Sequence, residues 1–169
     1  MTALARPSLA SAGRRLAALG YEALLLVAMA FVAGFVFLPF LPTDASRHTL
    51  TVASPVARAA MFCALVAAAA VYCTWCWSRG RRTLPQKTWR LRIVDRRGEP
   101  LGARRALARY AAWWIGPGVA LAAYALLQPQ GYGRNALAFA ALNYCWAIVD
   151  PDRQFLHDRI AGTALVQDS

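Results

Sequence analysis

The sequence predicts an all-α membrane protein with a bundle of four membrane segments and a small cytoplasmic β pairing. The composition is the first reason, because 59% of the residues are hydrophobic and only 16% are charged, whereas a soluble domain has about 25% charged residues. The second reason is that the apolar residues form long runs of the length a bilayer-crossing helix needs. A chain of 169 residues is expected to form one domain, residues 1–169.

Four apolar runs are the candidate membrane segments. They are residues 16–38, 56–77, 111–127 and 136–149. A spanning helix needs about 20 residues, and the first three runs come close to that length or exceed it. The fourth run is short for a span, so we expect either a tilted helix or a re-entrant segment.

Local signals mark where two of these helices begin or bend. Ser54 followed by Pro55 predicts a capped start for the second helix, since serine caps helices and proline suits the first helical position. Pro117 lies inside the third run and predicts a kink there.

The distribution of basic residues predicts the orientation. Eleven of the nineteen Lys and Arg residues lie in residues 78–110, between the second and third runs. By the positive-inside rule, this segment and the tail 1–15 are cytoplasmic. Four crossings, or two crossings and a re-entrant hairpin, both return the tail 150–169 to the cytoplasm. The sequence therefore predicts a multi-pass protein of the cell (inner) membrane with both termini cytoplasmic.

The net charge of +11 is explained by this topology rather than by nucleic-acid binding. The basic segment lacks the interleaved aromatic residues of a single-strand binder, apart from Trp89. Juxtamembrane basic clusters attract anionic lipid, so we expect lipid headgroups and no nucleic acid as partners of residues 78–110.

The basic segment also contains a strand-like stretch. "WRLRIV" (residues 89–94) alternates apolar and charged residues, which is a strand period. A lone strand is unstable and needs a partner. We therefore predict that residues 91–94 pair with residues 163–166 of the C-terminal tail. Residues 101–110 are expected to form a short interfacial helix that leads into the third run.

The sequence gives little support for an enzyme. It contains no nucleophile elbow, phosphate loop or dinucleotide fingerprint. Cys73 and Cys76 have the spacing of a metal or redox pair, but no second pair or nearby histidine completes a zinc site. We therefore expect no catalytic residues, no metal and no cofactor, and buried cysteines that act as small hydrophobic residues.

Three stretches, "RRLAALGYEALLL", "TLPQKTWRLRIVD" and "LHDRIAGTALV", resemble the RDD family of small bacterial membrane proteins in the family's order. The resemblance spans nearly the whole chain, and its tail motif is the most specific. What it implies for function is transport of some ligand, with cation/proton exchange as the usual suggestion.

The resemblance also implies which residues matter. The family is named for one arginine and two aspartates, which here match Arg15, Glu22 and Asp158. Glu22 departs from the pattern but keeps the carboxylate. Ala164 stands where a basic residue often follows the Gly-Thr of the family motif, which weakens any role assigned to that position.

The residues themselves direct attention to the same charges. Arg15 and Glu22 are seven residues apart, so on a helix they share a face, with Glu22 about 10 Å deeper in the membrane. Glu22 is then either a site for a proton or small cation, or a fixed anchor. In the second case Asp158 and Arg159 dock against Arg15 and Glu22, with His157 packed into the same corner.

Two functions remain open from the sequence. The first is a transporter or cation/proton exchange component that uses Glu22, with Arg15 and Asp158 in support. The second is a non-transporting membrane scaffold or assembly partner, whose buried charges are structural. Four short segments make a small pore for one subunit, so transport would favour a homo-oligomer.

Overall fold

The computed structural model of the chain describes residues 9–37, 43–44, 49–50 and 54–167. This part is mostly helical, with two short antiparallel β pairs. Most of the tail 1–15 and the end of the first predicted run, residue 38, lie outside the described residues.

The first two helices match the first two apolar runs. Helix α1 is Ala12–Phe37 and starts four residues before the predicted run, because the Arg15 amide already donates to the Ser11 carbonyl at 3.1 Å. Helix α2 is Pro55–Trp77, and the Ser54 hydroxyl accepts a hydrogen bond from the Ala57 amide at 3.2 Å, which confirms the predicted cap. The connection between them contains an unpredicted antiparallel pair, β1 (Thr43–Asp44) with β2 (Thr49–Leu50).

The basic segment begins with a helix that the sequence analysis did not predict. Helix α3 is Leu84–Thr88, and a capping box holds its start: the Gln86 amide donates to the Thr83 hydroxyl, and the Thr83 amide donates to the Gln86 side chain. Strand β3, Leu91–Asp95, follows.

The predicted strand pairing is confirmed. Strand β3 pairs in antiparallel fashion with β4, Thr163–Gln167, with Arg92 opposite Val166 and Val94 opposite Ala164. On the other edge of β4, the Ala10 amide donates to the Leu165 carbonyl at 3.1 Å. The N-terminal segment, the basic segment and the C-terminal tail therefore meet at one end of the molecule.

The third run is divided into two helices. Helix α4, Ala103–Trp113, includes the predicted interfacial helix and continues past it, and helix α5 is Ile115–Leu127. Together with a short 3₁₀ helix, Gln128–Gln130, they form a stretch long and apolar enough to cross a membrane.

The break between α4 and α5 follows from Pro117, as predicted, although it falls three residues earlier, at Trp114. Proline has no amide hydrogen, so the carbonyl of Trp113 loses its usual helical donor. The side-chain amide of Asn143 replaces that donor at 2.6 Å, and the Trp113 indole donates to the Tyr144 hydroxyl at 2.6 Å. These two bonds fasten the fourth segment to the bend.

The fourth segment is a 3₁₀ helix, Gly133–Ala141, followed by helix α6, Leu142–Val149. Helix α6 alone is about 12 Å long, shorter than the bilayer core, and the 3₁₀ helix before it adds about 18 Å at 2.0 Å per residue. In the described part of the chain, three helices are long and apolar enough to cross: α1, α2 and the Ala103–Gln130 stretch. The segment folds back against α5, where Gly116 lies close to the Ala140 carbonyl. Helix α7, Leu156–Ala161, then leads through the left-handed Gly162 into β4.

The buried core lies at the end of the molecule where the N-terminal segment, the basic segment and the C-terminal tail meet. Its apolar members include Cys73 and Trp77 of α2, Leu91 of β3, Tyr110 of α4 and Leu165 of β4. Toward the other end, α1 exposes Leu24, Phe31 and Phe35. Exposed apolar side chains on a long helix are suited to lipid. The polar contacts that define the fold are concentrated at the opposite end of the molecule.

We predict that Gly116→Ala destabilises the protein by about 1–3 kcal/mol, the usual cost of overpacking. A Cβ at residue 116 would lie 2.7 Å from the Ala140 carbonyl oxygen, whereas nothing lies within 4 Å of a Cβ at Gly118. Gly118→Ala is therefore the matched control and should leave the melting temperature in detergent unchanged or slightly higher, since alanine favours helix. Equal melting temperatures for the two variants would contradict close packing at Gly116.

Candidate functional site

Helix α1 turns two charged side chains into the protein interior. Arg15 is 4% exposed and Glu22 is 6% exposed, and both line one cavity, as their seven-residue spacing predicted. The Arg15 guanidinium lies 4.9 Å from the centre of the Phe155 ring, within the range of a cation–π contact. Among the described residues, no carboxylate forms an ion pair with Arg15.

Glu22 is held by one neutral donor. Its Oε2 accepts a hydrogen bond from the Thr83 hydroxyl at 3.2 Å, so the residue that caps α3 also contacts α1. Its Oε1 is buried and has no hydrogen-bond partner within the described ranges. A buried carboxylate oxygen without a donor is energetically costly, so this atom requires a water, a proton or a ligand.

Arg109 is the central cation of the site, and the sequence analysis missed it. Its guanidinium forms an ion pair with Asp158, donates to the Thr163 hydroxyl at 3.0 Å, and lies 5.1 Å from the centre of the Trp77 ring. It shares a helix face with Arg105, which is half exposed and binds Asp95. Only Arg109, one turn further along α4, is covered by α7.

Asp158 is 1% exposed, and its Oδ1 has two partners. Its Oδ1 accepts from the Thr163 hydroxyl at 3.1 Å and pairs with Arg109. Gly162, with φ 64°, makes the turn that brings Thr163 back beneath Asp158. The tail does dock under the bundle as expected, but Asp158 docks onto Arg109 of α4 and not onto Arg15 of α1.

Arg159 does not join this buried network. Its exposed guanidinium binds the exposed Asp152 at 2.7 Å and approaches the buried Asp150 at 3.5 Å. Successive residues on a helix point about 100° apart, because a turn has 3.6 residues. Since Asp158 faces inward, Arg159 faces outward, and the expected pairing of Arg159 with Glu22 is not formed.

His157 packs into the same corner, as expected. Its Nε2 lies 3.4 Å from an Arg109 nitrogen, which can only donate, so Nε2 is the acceptor and Nδ1 carries the hydrogen. Burial, reinforced by the positive charge of Arg109, lowers the pKa of His157 well below its ordinary value. His157 is therefore neutral at neutral pH, and its Nδ1 has no partner in the described part of the chain.

Arg15, Glu22, Arg109 and His157 surround a cavity of about 40 Å³. A water molecule needs roughly 10–15 Å³ of such space, so the cavity holds a few waters or one small ion. Trp77 also lines it, and each of these five residues has a buried polar atom without a hydrogen-bond partner among the described residues. Within those residues, no group of three or more His, Cys, Asp or Glu could hold a metal ion.

Three helices suited to a bilayer, with ionisable side chains buried at one end, fit an integral membrane protein. The profile of the RDD family matches residues 9–162, most of the chain. The protein belongs to the RDD family, which confirms the resemblance seen in its three motifs. Searches among curated proteins and among solved structures found no significant match.

We predict that Asp158→Asn destabilises the protein by about 3–5 kcal/mol, because it leaves the buried Arg109 charge without its partner. Asp152→Asn is the control, since Asp152 is 57% exposed and binds Arg159 at the surface, where an ion pair contributes little. Thermal unfolding in detergent measures both. A melting curve for Asp158→Asn that matches the Asp152→Asn curve would refute the buried pairing.

We predict that His157 makes the protein less stable in acid. Its pKa is lower in the folded state than in the unfolded state, so the unfolded chain binds the proton first as the pH falls. Stability is therefore full above about pH 6.5 and falls by about 1.4 kcal/mol per pH unit below it. His157→Gln keeps an acceptor for Arg109 but cannot titrate, and should show a shallower loss between pH 7 and pH 5. Parallel pH profiles for the two proteins would contradict this prediction.

Proposed function

We propose that the protein is a transport component of the bacterial cell membrane, a carrier and not an enzyme, in which Glu22 takes up and releases a proton during ion exchange. The observation that carries the proposal is the buried Oε1 of Glu22, which has no hydrogen-bond partner among the described residues although Glu22 lines a cavity. Family membership supports a membrane role but leaves the activity open.

The partners of Glu22 differ from those of Asp158 in a way that distinguishes an exchange site from a structural anchor. Asp158 is ion-paired with Arg109 and hydrogen-bonded by Thr163, which is how a fixed structural carboxylate is expected to be held. Glu22 has one neutral hydroxyl donor on Oε2, and its Oε1 accepts no hydrogen bond from the described residues. A carboxylate that must change its occupancy needs such an open side.

The charges around Glu22 favour a proton over a metal cation at this position. The guanidinium groups of Arg15 and Arg109 line the same cavity, and like charges repel strongly in a poorly solvated space. A proton binds directly to the carboxylate oxygen and needs no further room. We therefore assign the proton of a cation/proton exchange to Glu22, and assign no residues to the other ion.

The proposed topology and lipid contact rest on one feature: the site lies at the end of the molecule that carries the basic segment. The contacts of Ala10, β3 and β4 bring both tails and the basic segment together, and the positive-inside rule makes that end cytoplasmic. We propose a multi-pass protein of the inner membrane, with both termini cytoplasmic. Exposed arginines of the basic segment, such as Arg97 and Arg104, are suited to anionic lipid headgroups.

Transport by so small a chain also favours a homo-oligomer. Helices α1 and α2 border an apolar groove of about 500 Å³, which α4 and α5 close from one side. A second copy of the chain or lipid can fill this groove, and a second copy would extend the path for an ion beyond the small cavity of a single subunit.

A non-transporting membrane scaffold is the second candidate, and one observation favours it. Arg109, Asp158 and Thr163 are bonded to one another in a buried network that ties the tail to α4. Such a network is suited to a rigid platform for a partner protein. In that function Glu22 would be a buried structural residue, and a water molecule would bind its Oε1.

We predict that native protein in proteoliposomes moves protons when a Na⁺, Li⁺ or K⁺ gradient is imposed, and that Glu22→Gln abolishes the flux. A trapped pH-sensitive dye reports the flux, and reconstituted protein is quantified in each sample. Glu99→Gln is the matched control, because Glu99 is an exposed carboxylate in the turn after β3 and its flux should equal that of native protein.

Proton flux that survives in Glu22→Gln would refute the role of Glu22. Absence of flux from folded native protein, under every cation gradient, would leave the scaffold as the function.

A further inference from the structure

We infer that the cavity beside Glu22 binds one small monovalent anion, the size of chloride, and that it does so when Glu22 carries a proton. The inference depends on the proposed function in one respect, because it uses the protonated state of Glu22; the cation that exchanges for the proton still has no assigned residues. The test of anion binding is independent of transport.

The unpaired groups around the cavity are mostly hydrogen-bond donors. The buried polar atoms without partners, within the described residues, include Nε of Arg15, Nε of Arg109 and Nε1 of Trp77. Each of these nitrogens can only donate. The Nδ1 of His157 is a fourth donor, since its Nε2 accepts from Arg109.

Only one unpaired acceptor lines the cavity in this part of the chain, the Oε1 of Glu22. Four donors and one acceptor cannot satisfy one another, and a water molecule brings as many donors as acceptors. An anion accepts from several donors at once and donates to none, so it matches the unpaired groups better than a cation or water does.

The charge balance gives the condition for binding. Arg15 and Arg109 contribute two positive charges, and Asp158 and ionised Glu22 contribute two negative charges, so the site is neutral while Glu22 is ionised. Protonation of Glu22 leaves one uncompensated positive charge in a low-dielectric corner formed in part by Leu19. An anion restores neutrality, whereas a metal cation would add a second positive charge.

The groups that face Glu22 from each neighbouring element complete this account. They are Arg15 on α1 itself, Tyr72, Cys73 and Cys76 on α2, Thr83 at the start of α3, Arg109 on α4, and His157 beside Asp158 on α7. The phenol and thiols are uncharged when protonated, and His157 is neutral. The arginines and the two carboxylates therefore set the charge of the site.

The size of the cavity selects among anions. About 40 Å³ admits a monatomic halide or a carboxylate as small as formate, since a single water requires roughly 10–15 Å³. Gluconate is too large to enter. Proton and anion binding are linked reciprocally, so each strengthens the other, and the pair is electrically neutral.

The test compares thermal unfolding of the purified protein in detergent in sodium chloride and in sodium gluconate at equal concentration and pH. Chloride at about ten times its dissociation constant should raise the melting temperature by roughly 3–6 °C over gluconate. The difference should be larger at pH 5.5 than at pH 7.5, because protonated Glu22 favours the anion.

Variants locate the effect at the cavity. Glu22→Gln mimics the protonated carboxyl and should show the full chloride shift at both pH values. Arg15→Gln should lose the shift, whereas Arg104→Gln, the matched control at an exposed arginine of α4, should keep it. Trp77→Phe removes one donor but keeps the ring beside Arg109, so it should reduce the shift even if Arg15→Gln fails to fold.

Absence of a chloride-specific shift in native protein would overturn the inference. So would a shift that Arg15→Gln and Trp77→Phe both retain, which would place chloride on the surface arginines. If chloride has no effect while Glu22→Gln still abolishes proton flux, the proposed function is supported and the anion site is refuted. If chloride binds as described but no proton flux is found, the anion site is supported and the exchange function is refuted.

Discussion

The fold of this RDD-family protein depends on the buried ion pair between Arg109 and Asp158. A guanidinium removed from water at the membrane boundary is tolerable only with a counter-charge and further hydrogen bonds, and Asp158 and Thr163 provide both. Because Arg109 is on α4 and its partners are on the tail, satisfying this one charge fixes where the tail lies. The β3–β4 pairing and the position of Phe155 over Arg15 are consistent with that placement.

This arrangement separates two kinds of buried charge. Arg109 and Asp158 neutralise each other and form part of the architecture, whereas Arg15 and Glu22 are buried without an ion pair between them. A protein that buried all four charges for stability alone would be expected to pair all of them, since an unpaired buried charge costs several kcal/mol. The unpaired half of the cluster is the half on which the proposed proton exchange and anion site depend.

The sequence predicted the long apolar helices from the length of their runs, and it predicted the pairing of β3 with β4 from a strand period and the need of a lone strand for a partner. It also placed Glu22 and Arg15 on one face, which needs only helical geometry. It could not identify Arg109, because Arg105 and Arg109 lie one turn apart on the same face of α4. What distinguishes them is that α7 covers Arg109, which is a tertiary contact. Helix α3 could have been predicted, because Thr83 and Gln86 form a capping-box signature. The partner of Asp158 depends on tertiary packing of the tail, which no local pattern contains.

The position of β4 has a consequence for biogenesis. This strand is the last described element, yet it lies between Ala10 at the start of the described chain and β3 in its middle. Residues 158–166 are synthesised after α1, α2 and α4, so these helices are made while Arg109 still lacks Asp158. Insertion of the helices and closure of the fold are therefore separate events in time, and an incomplete chain would expose its charged corner to the quality-control proteases of the cell.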